Sequence, residues 1–275
     1  MPIVISQALV LSELVESSAD APLLGWQNLV TVGGIAADEE DADYPASNLG
    51  NPSTALRWQG ETTSEQYIEF TLSGTDPVDY VGIARHNLGS GQVTVSVEIS
   101  DGESPETWTE VAAEFIPAGD QPIVIRFDEE QPPAIRIKLQ PGSVIPRMAV
   151  VYVGKLLRLP RGVQPGLVPT LWAASDDVIA AESEAGDYLG AIVLRQSLQT
   201  SVQVQWLDYT WWLANMPGFI AHARQRKPFF FAWLPTTYPN DIGYAWTSND
   251  IRPEAHNMRT GYKVHMTLDL KAVAL

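Results

Sequence analysis

The chain has 275 residues, enough for one large or two ordinary domains. With 45% apolar and 18% charged residues it is too rich in core material to be disordered, and its 20 Gly and 20 Pro favour short strands and turns over long helices. A formal net charge of −16 disfavours nucleic-acid phosphates and anionic membranes as partners, and the lack of cysteine excludes a disulfide framework, a thiolate metal site and a Cys nucleophile.

The charge is unevenly spread. Residues 1–155 hold 7 basic and 23 acidic side chains, whereas residues 156–275 hold 10 of each, which predicts two domains with different surroundings. No stretch has the make-up of a signal peptide or the length of a membrane span, so no membrane insertion is expected.

In chain order, the acidic run Asp38 to Asp41, followed by Asp43, reads as a solvated face, because ligands for a hard cation normally alternate with spacers. Ile68, Phe70 and Leu72 alternate with polar neighbours, as do Val93 to Ile99 and Ile135 to Leu139, the pattern of strands with one dry face. Val78–Ala84, Pro122–Phe127 and Met148–Val153 are apolar runs that read as buried strands. Turn pairs such as Asp101-Gly102, Ala118-Gly119 and Pro141-Gly142 separate them, which predicts an antiparallel sandwich.

A Pro- and Gly-spaced connector, Arg158 to Thr170, should be extended. Beyond it, Tyr188–Leu194 reads as a buried run and Ser201–Trp206 as an alternating strand. Residues 209–226 form the one helix candidate, with Trp212, Met216, Phe219, Ile220 and Ala223 on one stripe and Pro217 expected to kink or split it. Phe229–Trp233 and Ile242–Trp246 read as strands. In Gly261–Leu270 the side chains Tyr262, Val264, Met266, Leu268 and Leu270 share a face opposite Lys263, His265, Thr267 and Asp269.

Several landmarks follow one another in order: Ala46-Ser47-Asn48, Asn51-Pro52-Ser53-Thr54, Arg57-Trp58, Gln66–Phe70, Val81-Gly82-Ile83, Thr107-Trp108-Thr109 and Ile135-Arg136-Ile137. Together they resemble the discoidin, or coagulation-factor C-type, module. That resemblance implies a galactose-binding-like jelly roll over residues 1–157, with sugars, lipids or proteins bound through loops at one end. His86, Asn87 and Trp58 are then the candidate ligand-loop residues. Leu49-Gly50-Asn51 stands where calcium-binding members usually carry Asp, so neither metal nor cofactor is expected.

Residues 158–275 form the second expected domain, a β-rich sandwich or barrel with one helix, which makes the chain all-β as a class. Its order of elements, from Leu189-Gly190 through the helix and the aromatic pair Phe229–Trp233 and Ile242–Trp246 to the last strand, resembles distal-tail or tail-tip proteins of long-tailed bacteriophages and gene transfer agents. The resemblance implies a virion tail component assembled in the host cytoplasm. It would be a homo-oligomeric ring, hexamer or trimer, between tail tube and hub or tip proteins, with the jelly roll outward for adhesion to a host-surface glycan. Six of the nine Trp follow residue 170, and Trp211, Trp233, Trp246 and His265 are the candidate subunit-interface residues.

No motif for a serine hydrolase, nucleotide, dinucleotide or zincin site occurs, so no catalytic residue is assigned. A tail-associated glycan hydrolase would need two carboxylates, and nothing in the sequence selects a pair among 33 acids. The alternative from a different class is a free-standing carbohydrate-binding module protein.

Overall fold

The computed structural model describes residues 3–5, 20–73, 75–258 and 261–274. The fold is mainly β. By its internal contacts the chain divides into two compact units: Met1–Gly162 with Lys227–Tyr244 and Leu275, and Val163–Arg226 with Ala245–Ala274.

The first unit is built on two five-stranded sheets. One has the order β1 (Ile3–Ile5), β9 (Ile123–Glu130), β6 (Val78–His86), β11 (Arg147–Gly154), β4 (Trp58–Gln59); the other has β3 (Ile35–Ala37), β5 (Gln66–Thr71), β10 (Ala134–Gln140), β7 (Thr94–Ser100), β8 (Trp108–Phe115). All neighbours are antiparallel except β1 and β9. In the second sheet Ile137 stands opposite both Ile68 and Val97, so the expected alternation aligns three buried side chains across three strands. They meet Val81, Ile83, Val151 and Val153 of the first sheet in one apolar core.

β6 and β11 are buried on both faces, and a third layer explains why. β2 (Leu23–Gly25) pairs with β12 (Leu157–Arg158) on one side and with β16 (Phe229–Ala232) on the other. Phe230 of that layer lies over Gly82 of β6, where an added Cβ would come within 2.5 Å of the ring. The same ring packs edge-on to Tyr152 of β11 at 5.6 Å. Asp20 secures the returning segment by accepting the backbone N–H groups of Thr236 and Thr237, each at 2.8 Å. Strands covered on both faces must be apolar throughout, which is why Val78–Ala84 and Met148–Val153 read as runs.

In the second unit β19 (Gly261–Ala272) is central. It pairs along one edge with β15 (Leu198–Asp208), and along the other with the end of β17 (Ile242–Thr247) and with β18 (Glu254–Met258). Val264, Met266, Leu268 and Leu270 are buried as the alternation predicts, whereas Tyr262 is exposed. Helix α1 (Tyr209–Arg224) lies against β15 and β19 through Trp212, Met216, Phe219 and Ala223. Asp208 caps its start, accepting from Thr210 N–H at 2.9 Å. Pro217 does not split the helix: it sits on the exposed face, where water can satisfy the carbonyl that loses its intrahelical donor.

The run Tyr188–Leu194, expected to be buried, is not. It forms β14 (Tyr188–Arg195), paired only with β13 (Asp177–Glu182) in a two-stranded sheet. Among the described residues no third strand or second layer covers either face, so Ile192 and Leu194 are 67% and 62% exposed. An apolar run shows a preference for burial, but the burying surface must come from elsewhere.

The Phe230 contact predicts that Gly82→Ala destabilises the first unit by roughly 1–3 kcal/mol through overpacking. Urea denaturation of the purified protein would measure it, and unchanged stability would mean the third layer is not seated on β6.

Candidate functional site

The antiparallel ladder β9–β6–β11–β4 brings four chain segments to one end of the first sheet. Arg57 precedes β4, Arg85 and His86 end β6, Asp120 precedes β9, and Arg147 begins β11. With neighbouring strands about 5 Å apart, residues far apart in sequence become neighbours. Together with Thr54, Ala55 and Ala149 they line an open cleft of about 410 Å³.

The walls are held by backbone contacts. Asn87 accepts the Arg147 N–H at 2.8 Å and donates through Nδ2 to Ile145 O at 2.9 Å, tying the loop before β11 to the end of β6. Ser90 N–H donates to Asp120 Oδ1 at 2.9 Å. Gly89 approaches Gly119 so closely that a Cβ would lie 2.3 Å from the Gly119 carbonyl oxygen, a spacing that only glycine allows. Arg57 lies with its guanidinium 4.1 Å from the centroid of the Tyr44 ring, and Asn48 Nδ2 holds its carbonyl at 2.8 Å. Its Nε is buried with no hydrogen-bond acceptor among the described residues. Arg85 occupies the left-handed region at φ 57°, a conformation unfavourable for a residue with a Cβ.

His86 is buried behind this surface. Its Nδ1 accepts the Leu88 N–H at 3.2 Å, so Nε2 carries the proton given to Gln121 O at 2.7 Å. Burial holds its pKa down to about 4, against opposing effects from the Gln121 bond and Asp120, and the ring is neutral at neutral pH.

The sequence-predicted ligand residues thus sit beside the cleft more than in it. His86 lines it as a buried wall, and Asn87 is buried and occupied with backbone groups. Trp58 is fully buried in the core, with Nε1 donating to Glu39 O at 3.1 Å. Trp108 is covered by the Arg136 guanidinium, 4.2 Å from its ring. The acidic run is not simply a solvated face: Asp38 accepts Tyr67 N–H at 2.9 Å and Glu40 accepts Ala46 N–H at 2.6 Å, so these acids brace loops. Among the described residues no group of three or more His, Asp or Glu side chains is placed to hold a metal ion.

The candidate interface residues are dispersed. Trp233, in the first unit, donates to Asp241 at 2.6 Å and stacks on Tyr238 at 5.3 Å. In the second unit Trp211 is half-buried on α1 and Trp246 half-buried on β17. His265 lies on β19 against His256, ring centroids 4.1 Å apart, and edge-on to Trp206 at 4.5 Å.

Sequence reading did not single out Arg57, Arg85, Arg147 and Asp120 as a set. The available signal was scarcity: with only 7 basic residues in the first 155, each one is informative.

No family model matches the sequence, and no curated protein matches it. Solved structures similar to it include chitosan-binding module 1 of a chitosanase/glucanase from Paenibacillus sp. IK-5, at 18% identity over 47% of this chain and 99% of that chain, with a TM-score of 0.41. Module 2 of the same enzyme, solved with chitotriose, is similar at 18% identity over 46% of this chain and 100% of that chain, with a TM-score of 0.41. A Clostridium perfringens module solved with GalNAc-beta-1,3-galactose is similar at 13% identity over 46% of this chain and 99% of that chain, with a TM-score of 0.39.

Two buried titratable groups oppose each other in acid. Burial raises Asp79 of β6 to about 6, despite the Leu156 N–H it accepts, so its contribution to stability is full below pH 4 and falls as pH rises to 6. His86, depressed to about 4, contributes fully above pH 6.5 and loses that contribution as pH falls. In the parent protein the two slopes offset. Asp79→Asn removes one, so the stability of that variant should drop more steeply than the parent's between pH 6.5 and 4.5 in urea denaturation; identical slopes would contradict the burial of Asp79.

Proposed function

We propose that the first unit is a non-catalytic saccharide-binding module and that its ligand occupies the cleft at the end of β4, β6, β9 and β11. The observation that carries this reading is the cleft's make-up. A volume of about 410 Å³ suits a small ligand. Its lining offers guanidinium donors and a carboxylate acceptor, with Ala55 and Ala149 as the small apolar elements. A site of this kind recognises hydroxyl-rich molecules through directed hydrogen bonds. Among the described residues no Phe, Tyr or Trp lines the cleft, so recognition rests on polar contacts instead of stacking on such a ring.

Calorimetric titration against galacto-, gluco- and uronate oligosaccharides tests it. Arg147 is exposed and among the described residues its side chain makes no hydrogen bond or ion pair, so Arg147→Ala should weaken binding roughly tenfold without loss of fold, in line with one charge-assisted hydrogen bond. Absence of binding to every sugar, or indifference to the substitution, would refute the reading.

A second reading, that the chain is a ring-forming component of a phage-like tail tip with the module outward, draws on the exposed hairpin. Val178, Ile179, Tyr188, Leu189, Ile192, Val193 and Leu194 are each about half or more exposed. They present on the order of 800 Å² of apolar surface, about one partner's share of a standard interface. The second unit also exposes Trp172, Tyr209, Leu213 and Tyr262, an acceptor surface for the hairpin of another copy, and a head-to-tail contact of that kind gives a ring when its rotation divides a full turn. Light scattering should then find an assembly that Ile192→Asp with Leu194→Asp dissolves; a parent protein that stays monomeric at high concentration would exclude it.

A further inference from the structure

Three rings meet on the sheet of the second unit. The register between β15 and β19 jumps from Val204 opposite Met266 to Leu207 opposite Val264, so Gln205 and Trp206 together face His265, a bulge of two residues against one. Trp206 holds a left-handed backbone there, at φ 63°, which is costly for a large side chain, and its ring meets His265 edge-on at 4.5 Å. On the other edge of β19, β18 sets Glu254 opposite His265 and His256 opposite Lys263. The two imidazoles lie 4.1 Å apart between centroids, with their planes inclined by 34°. Among the described residues β18 pairs with β19 alone.

This packing favours uncharged rings. His265 Nε2 is buried without a hydrogen-bond partner among the described residues, and a charged imidazole carries a proton on both nitrogens, so protonation leaves a buried donor that nothing accepts. A further proton on His256 adds repulsion across 4.1 Å. Burial, and after it His256, hold the His265 pKa below its ordinary 6.5 against the pull of Glu254. The stability this ring lends is therefore full above pH 6.5 and is lost as pH falls. The other charged groups around the pair are Glu254, 3.8 Å from His256 Nε2, and Lys263, whose Nζ donates to Asp208 at 3.0 Å. Glu254 forms an ion pair with His256 only once that ring is charged, an attraction that competes with the stack. Lys263 and the N–H groups at the start of α1 keep the Asp208 carboxyl below the usual range, so that anchor persists in mild acid.

We infer that Trp206, His265 and His256 form an acid-sensitive latch: neutral rings hold β18 on the edge of β19, and protonation of the imidazole pair releases β18 and leaves the Tyr262–His265 edge unpaired. The left-handed Trp206 is part of the device, because a bulge freed of its ring contact can relax. A five-residue strand with one neighbour also belongs to the part of a fold that opens at least cost. The latch consists of residues of the second unit alone, so it stands apart from whatever the cleft of the first unit binds.

Amide hydrogen exchange of the full chain at about pH 7.5 and about pH 5, corrected for the intrinsic pH dependence of exchange, tests it. Protection of residues 254–258 should fall at least roughly tenfold in acid, in line with one unsatisfied buried donor, while residues 198–204 of β15 keep theirs. The double variant His256→Phe with His265→Phe retains flat rings that cannot charge, and its protection should be the same at both pH values. Histidine resonances of the parent chain give a readout free of substitution, and with four His they are few enough to assign. His265 should titrate below the ordinary histidine range, its midpoint coinciding with the loss of protection. Unchanged protection of 254–258 across the two pH values would overturn the latch, as would a loss that persists in the double variant. A His265 that takes its proton while β18 stays protected would overturn it too, and so would an equal loss at 198–204, which marks general unfolding in acid.

Discussion

The hydrogen-bonded ladder β9–β6–β11–β4 is the constraint on which the site depends. Its antiparallel register places the end of one strand beside the beginning of the next, so residues 57, 85, 120 and 147 meet although about ninety positions separate the first from the last. The cost of assembling charged groups is borne by the apolar core and by loop bonds from Asn87, Ser90 and Asn48, none of which needs the ligand. A cleft built in this way is organised in advance, and little conformational entropy remains to be lost on binding.

The 23 acidic side chains among the first 155 residues set the long-range field of the first unit, and screening at physiological salt confines the influence of each exposed charge to about 8 Å. Many acids that set the long-range field also have local work, as Asp38 and Glu40 show by bracing loops beside β4 and β5.

Much of the architecture was legible in the sequence, since alternation and apolar runs report how many faces of a strand are covered. Ile68, Phe70, Ile135, Ile137 and the Val264–Leu270 series lie inward as their periodicity predicts. What periodicity omits is the identity of the covering surface. The run at Tyr188–Leu194 has the composition of a buried strand and none of the burial, and the aromatic run at Phe229 joins the first unit, not the one that flanks it in sequence. The site was legible in part: Trp58 and Asn87 stood out as residue types, and both proved structural. The arginines were inconspicuous because their proximity is a product of strand order, which no local pattern encodes.

The return of Lys227–Tyr244 has a consequence for how such a protein can change over time. Because β16 completes the layer over Gly82 and Tyr152, the first unit is not one uninterrupted stretch of the polypeptide. Recombination that moved only the leading 160 or so codons would leave two apolar strands bare and the recipient burdened with an incomplete fold. Inheritance therefore links both halves, and variation in the loops around the cleft can proceed by point substitution far more readily than by exchange of cassettes.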